Sequence, residues 1–246
     1  MRLARLALVV LTAAAAIASC GSSSVEPDTD PTLRILFIGN SLTYVNDLPA
    51  TVQHLGQSDP SRAVVVSSVA VGGFSLEDHW NRGDAQRAIA SARWDLVVLQ
   101  QGPSALPESR VNLIDYATRF AGEIRKIGAR PALYMVWPGL DRETEWSAVS
   151  ASYTAAAAAV NGLLLPAGEA LRAVRAEAPS ISLFEADGFH PSVAGTYGAA
   201  LVIYARAAGV SPIGLTARAG GSSLPPAVVT ALEAGAAQAI AEAGSD

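Results

Sequence analysis

Arg34-Ile35-Leu36-Phe37-Ile38-Gly39 is a short apolar run that stops at a glycine and hands over, through Asn40, to Ser41-Leu42-Thr43-Tyr44. A run this short, dense in branched and aromatic residues and without alternation, is what a strand buried on both faces looks like. Four further runs of the same kind follow, at Ala63–Ala70, Asp95–Gln101, Arg130–Trp137 and Gly162–Leu165. Helical patterns separate them, at Leu48–Gln57, Asp84–Ala92, Ser109–Ile127 and Glu143–Val160, the last with an Ala-rich stretch of high helix propensity. Three more follow the fifth run, at Glu169–Glu177, Val193–Ala208 and Pro226–Ala243. Gly128 and Pro138 supply stops after a helix and a strand. Strands that alternate with helices predict an α/β fold: a doubly wound, five-stranded parallel sheet in a three-layer α/β/α sandwich. Function in such sheets collects in the crevice at the carboxyl ends of the strands. The residues that matter are those just after each strand.

The chain has 246 residues, of which half are hydrophobic, enough for one domain with a sizeable core and too apolar for disorder. Its 17 basic and 22 acidic residues form no block or stripe of one sign, which argues against a nucleic-acid partner. No fixed-period repeat or second domain is visible.

The N-terminus carries its own signal. Arg2 and Arg5 precede an apolar run of 13 residues, Leu6 to Ala18, too short to span a bilayer as a helix of ~20 residues. A charged head, a greasy middle and small residues before Cys20 are the features of an export signal. Loss of the two arginines would move the formal charge of −5 two units further negative. Cys20 is the only cysteine, so no internal disulfide can form. Ile17-Ala18-Ser19-Cys20 resembles the bacterial lipobox, which implies cleavage before Cys20 and lipidation of its thiol; a buried structural cysteine is the competing reading. Residues 20–32, rich in Ser, Pro and acids, read as the lipidated cysteine and a tether, about a dozen residues reaching roughly 40 Å when extended. The expected organisation is thus a signal over residues 1–19, the tether, and a folded domain over 33–246. It places the protein outside the cytoplasm, in the periplasm or extracellular, lipid-anchored to a cell or outer membrane.

Ser41 sits where a strand passes into a helix, so its N–H lies at a partially positive helix start. Such a serine is able to serve as nucleophile and oxyanion donor, although a simple cap is the common role there. Of the three histidines, His54, His79 and His190, the last lies in Asp187-Gly188-Phe189-His190-Pro191. Three residues of spacing let Asp187 orient and charge-stabilise the His190 imidazole while it takes the Ser41 proton.

Taken together, these residues resemble the SGNH (GDSL-like) hydrolase superfamily. Gly39-Asn40-Ser41-Leu42 is similar to its first block, with Asn in place of Asp, and Asp187-x-x-His190-Pro191 to its last. Val71-Gly72-Gly73-Phe74-Ser75 resembles the glycine block that lends an N–H to the oxyanion hole, Gly73 being the better match. The third block departs: Leu99-Gln100-Gln101-Gly102-Pro103-Ser104 has no Asn, and Gln101-Gly102-x-Ser104 looks like the form found in SGNH-like carbohydrate acetylesterases. The resemblance spans Arg34 to Ala208. It implies a flavodoxin-like SGNH hydrolase fold, catalysis by Ser41, Asp187 and His190, and an oxyanion hole from Ser41, Gly73 and Gln101, with Gln100 or Ser104 as alternatives to Gln101. It also implies chemistry that requires neither a metal nor an organic cofactor.

Other patterns carry less. Ser75 fails the G-x-S-x-G elbow because Glu77 occupies the last glycine position. Glu77-Asp78-His79-Trp80 lacks a second His or Cys at ligand spacing and reads as a solvated lip beside the site. His54 reads as a partly exposed helix residue, and Trp137 and Pro138 as acyl-pocket border or core. The expectation is a serine esterase acting on short acyl esters, acetyl above all, of small molecules or carbohydrates. The alternatives are a non-catalytic glycan-binding lipoprotein on the same fold and an O-acyltransferase; the oligomeric state is left open.

Overall fold

The computed structural model describes residues 31–59 and 63–244. The expected export signal, Cys20 and most of the tether fall on residues 1–30, outside the described residues. Five strands form one parallel sheet in the order β2-β1-β3-β4-β5. They are β1 (Leu33–Gly39), β2 (Val64–Ala70), β3 (Leu96–Leu99), β4 (Arg130–Tyr134) and β5 (Leu163–Leu165). The interior strand β1 explains the architecture. Ile35, Leu36, Phe37 and Ile38 are all fully buried, so side chains on both faces of the strand need a covering layer. Burial of each such side chain is worth about 1.5–3 kcal/mol.

The helices are α1 (Ser41–Tyr44), α2 (Leu48–Gly56), α3 (Leu76–Arg82), α4 (Asp84–Ser91), α5 (Pro107–Lys126), α6 (Trp146–Ala159), α7 (Ala167–Glu177), α8 (Val193–Ala208), α9 (Leu215–Arg218) and α10 (Pro226–Ala243). Their packing falls into two sets: α8 touches α2, α7 and α10, and α5 touches α3, α4 and α6. These are the two outer layers. Helix α8 is buried almost all round from Ala194 to Ala205, because α2, α7 and α10 enclose it.

The expected strands are found, with β3 and β4 shorter at their carboxyl ends than the apolar runs. β5 pairs through only three residues and is followed by Pro166, which has no N–H to extend the ladder. Met135, Val136 and Trp137 therefore stay buried without belonging to a strand. One expectation is overturned outright. The Glu77–Trp80 segment is no solvated lip: it is part of α3, and His79 is fully buried. Ser75 caps that helix, its Oγ accepting from the Asp78 N–H at 3.2 Å while Asp78 Oδ2 accepts from the Ser75 N–H at 2.8 Å. This reciprocal pairing satisfies two otherwise orphaned donors.

Candidate active site

The turn after β1 is built around close approach. A Cβ on Gly39 would lie 2.3 Å from both Gln100 Oε1 and Thr43 Oγ1, so no larger residue fits there. Asn40 then caps α1. Its Oδ1 accepts from the Leu42 N–H (3.1 Å) and from Gln100 Nε2 (2.9 Å), and its Nδ2 donates to the Phe74 carbonyl (3.1 Å). The opposite amide orientation would face donor to donor and oxygen to oxygen, so the network settles it. An Asp would accept from the first two partners but has nothing to offer the Phe74 carbonyl. That is the physical reason for Asn in this block.

The cap leaves Ser41 at the first position of α1. Its hydroxyl stands 2.9 Å from His190 Nε2, and His190 Nδ1 stands 2.6 Å from Asp187 Oδ2. The other carboxylate oxygen accepts the N–H groups of Phe189 and His190, both at 2.9 Å. Asp187 is held down at a pKa of about 2, chiefly by the His190 imidazole and then by the Phe189 and His190 N–H groups. An ionised Asp187 fixes the Nδ1–H tautomer, which turns the Nε2 lone pair toward Ser41. The loop itself is short of regular structure. It closes through a bridge between Phe184 and Pro191 and a turn at Gly188, where φ is +68°.

Opposite the imidazole, Ser41 and Gly73 line one cavity of about 490 Å³. Gly73 has φ +75°, and a Cβ there would meet nothing within 4 Å, so the backbone conformation and not space favours glycine. Among the described residues, no protein acceptor takes the N–H of Ser41 or of Gly73. Gln101 borders the same cavity; its Oε1 accepts from the Leu76 N–H (3.0 Å) and its Nε2 donates to Ser104 Oγ (2.9 Å), leaving a second N–H on that nitrogen.

Gln100 and Ser104 are differently employed. Gln100 is fully buried, with Oε1 accepting from the Asn40 N–H and Thr43 Oγ1, both at 2.8 Å, and Nε2 donating to Asn40 Oδ1 and the Gln101 carbonyl. It has no donor to spare. Ser104 donates its hydroxyl to the Gly102 carbonyl (3.1 Å). Of the three, Gln101 alone combines a spare N–H with a place at the cavity.

Sequence reasoning passed over several supports. His79 Nε2 lies 2.8 Å from the Gly39 carbonyl, under the nucleophile turn, and its ring meets Phe74 edge-on at 5.2 Å. Glu77 accepts from Asn112 Nδ2 (2.7 Å) and Tyr116 (2.8 Å), joining α3 to α5. Tyr153 donates to the Gln101 carbonyl (2.7 Å), holding the loop after β3. The only local cue to α3 was the Ser75-x-x-Asp78 capping pattern. Trp137 proves to be core: it is fully buried and absent from the cavity wall. His54 lies on α2, half-buried, with Nε2 3.0 Å from the Gly221 carbonyl.

A five-stranded parallel sheet in 2-1-3-4-5 order, with a hydroxyl, an imidazole and a carboxylate in line at its carboxyl edge, defines a class: α/β/α sandwich proteins with a serine-centred site. No protein-family profile matches the chain. No curated protein matches it either. Solved structures do. A protein described as an SGNH hydrolase from Slackia heliotrinireducens is 30% identical, with 71% of this chain and 98% of that chain covered and a TM-score of 0.61. The chain belongs to the SGNH (GDSL-like) hydrolase superfamily. A DUF4886 family protein from Bacteroides uniformis shares the fold at 18% identity, with 85% of this chain and 95% of that one covered and a TM-score of 0.71. So does a catalytic variant of an acetylxylan esterase from Geobacillus stearothermophilus, at 16% identity, 71% and 94% coverage and a TM-score of 0.54.

Proposed function

We propose that this protein is a serine esterase that removes short acyl groups, acetyl foremost, from carbohydrates or other polar alcohols. One observation carries the reading: Ser41 Oγ, His190 Nε2, and Asp187 stand in hydrogen-bonded line at 2.9 and 2.6 Å, beside two N–H groups that no acceptor takes among the described residues. In this mechanism Ser41 Oγ attacks the ester carbonyl as its proton passes to His190 Nε2. The oxyanion that forms takes hydrogen bonds from the N–H groups of Ser41 and Gly73 and from Gln101 Nε2. The tetrahedral species collapses, the C–O bond to the alcohol breaks, and His190 returns the proton to the departing oxygen. Water then attacks the acyl-serine with its proton taken by His190, and acid and free Ser41 result. Loss of one oxyanion donor typically costs about 2.7–4 kcal/mol of barrier.

The polar alcohol is supported by the cavity. At about 490 Å³ it far exceeds what an acetyl group needs, and its outer wall presents Ser109, Asn112, Arg142 and Glu145. Mixed donors and acceptors of this kind suit hydroxyl groups, which donate and accept at once. The acetylxylan-esterase neighbour and the Gln101-Gly102-x-Ser104 block agree with that choice. The Cys20 tetrad and the preceding apolar segment support a lipid-anchored protein exported from the cytoplasm.

The test is hydrolysis of aryl acetates and of acetylated oligosaccharides by the domain over residues 33–246, with Ser41→Ala as control. Turnover unchanged in that variant sinks the mechanism. Transfer of acetyl to an added sugar in preference to water would reassign the protein as an acyltransferase. Export is tested by metabolic labelling with a radioactive fatty acid, which should reach the wild type and miss Cys20→Ser.

A further inference from the structure

We infer that Trp137 and Asn46 are positioning residues that hold the His190 imidazole in line with Ser41, one from each side of its loop. The inference rests on the esterase reading above.

The need for such ties follows from the loop itself. His190 and Asp187 side chains are 34% and 49% exposed, and the stretch around them has a single bridge in place of a strand or helix. A loop of that kind is ordinarily among the more mobile parts of a fold. Yet its three consecutive carbonyls are each taken by a donor from a different direction. Phe189 O accepts from Trp137 Nε1 at 2.9 Å, His190 O from the Glu185 N–H at 2.8 Å, and Pro191 O from Asn46 Nδ2 at 2.9 Å. The middle bond lies within the loop. The outer two are tertiary and bracket His190 by one residue on either side.

Trp137 does this from the core. It follows β4, is fully buried, and packs against Phe184 with ring centroids 5.8 Å apart. Its N–H is therefore fixed in direction, and a buried indole requires a partner for it. Asn46 acts from the nucleophile's own side. It lies five residues after Ser41, and its second amide hydrogen reaches Thr196 Oγ1 at 3.1 Å, at the start of α8. Apart from the Ser41–His190 contact, the Asn46–Pro191 bond is the side-chain hydrogen bond that joins the nucleophile loop to the histidine loop among the described residues. Asn46 also has φ +52°, and Asp47 beside it φ +50°. Two successive left-handed residues are costly outside glycine, and Asn and Asp are the side chains that tolerate them best. The backbone there bends so that the Asn46 amide faces the histidine loop.

The experiment uses Trp137→Phe, which keeps an aromatic ring and removes the donor, and Asn46→Asp, which keeps shape and left-handed tolerance and removes the donor. Turnover of an aryl acetate and the rate of Ser41 modification by a fluorophosphonate are measured beside the melting temperature. Each variant should lose about tenfold or more in kcat, up to the roughly hundredfold typical of misplaced catalytic groups, with KM unchanged and labelling slowed in proportion. Wild-type kcat in both variants overturns the inference, and so does a loss of kcat that merely tracks the unfolded fraction at the assay temperature. If the wild type neither turns over esters nor reacts with the probe, the esterase reading fails by itself. The ring-nitrogen shifts of His190 in ¹⁵N-histidine-labelled protein then decide: the Nδ1–H tautomer should dominate in the wild type and mix with the other in both variants.

Discussion

Asn40 and Phe74 join the two halves of the candidate oxyanion site: the Asn40 amide donates to the Phe74 carbonyl at 3.1 Å, a direct tie between the serine turn and the Gly73 loop. This bond reaches across 34 residues and is made by the one atom that distinguishes Asn from the Asp more usual in this block. Asn40→Asp should therefore leave the α1 cap intact, because an oxygen still faces the Leu42 N–H, while the Phe74 carbonyl loses its donor. The expected result is a fall in kcat of about 10²-fold, the size of a displaced oxyanion donor. KM for an aryl acetate should stay where it is. Steady-state kinetics of N40D check this, and wild-type kcat would show that the tie is dispensable.

Asp187→Asn should separate charge from geometry. The amide occupies the same space, but an Asn able to donate to His190 Nδ1 favours the wrong tautomer, and kcat should fall about 10⁴-fold. The carboxylate also makes a pH-dependent contribution to stability. Its pKa is depressed to about 2, below the ordinary value of roughly 4, first by the imidazole and then by two N–H groups. Stability from a depressed carboxylate is present in full above the unfolded value and disappears as pH falls through the folded one. The difference in urea midpoint between wild type and D187N should therefore shrink between about pH 4 and pH 2. A difference that stays constant over that window would contradict the assignment. Above it, Asp187 stays ionised, so it does not set the acid limb of any pH–rate profile near neutrality.

How far the sequence foretold this site depends on where each residue's partner lies. The apolar runs placed all five strands, and Val193–Ala208 and Pro226–Ala243 match their helices end to end, because burial periodicity is a local property. Ser41, His190 and Asp187 could be singled out as candidates because Ser41 follows a strand closely and the other two share one short loop. His79 was misread because its burial is decided by the Gly39 carbonyl, 40 residues away, and by Phe74 above it. Nothing in Glu77-Asp78-His79-Trp80 reports those neighbours; the capping pair Ser75 and Asp78 was the one legible hint of a helix. Asn46 and the hydrogen bond of Trp137 to the histidine loop were hidden for the same reason, since their partners are 145 and 52 residues away.

Gln101 was the expected third donor, with Gln100 as an alternative, and the two should behave oppositely in the tube. Gln101→Glu keeps an oxygen for the Leu76 N–H and removes the spare donor; kcat should drop by about 10²–10³ with a small change in melting temperature. Gln100→Leu strips the Asn40 N–H and Thr43 hydroxyl of their shared acceptor in a fully buried place. Stability should fall by about 1–3 kcal/mol for each polar group left unpaired. Thermal melts run beside kinetics tell the two apart. A stable, inactive Q100L would reverse the roles assigned to the pair.

The outer wall of the cavity offers a test of the alcohol. Arg142 and Glu145 border it, with Arg142 Nη1 3.5 Å from Glu145 Oε2, a loose pairing that leaves most guanidinium donors available. Neither residue belongs to the Ser41–His190–Asp187 line, so neither should affect an ester whose alcohol is a small aryl group. A sugar, by contrast, would place several hydroxyls against this wall. Arg142→Ala and Glu145→Gln should leave kcat and KM for an aryl acetate as they are, while KM for acetylated oligosaccharides rises about tenfold, the loss expected for a hydrogen bond to a charged group worth roughly 1.5 kcal/mol. Parallel losses on both substrates would mean that the wall supports the reacting centre itself. No loss on either would move the alcohol to another part of the cavity, toward Phe74 and Leu106, and favour a less polar substrate.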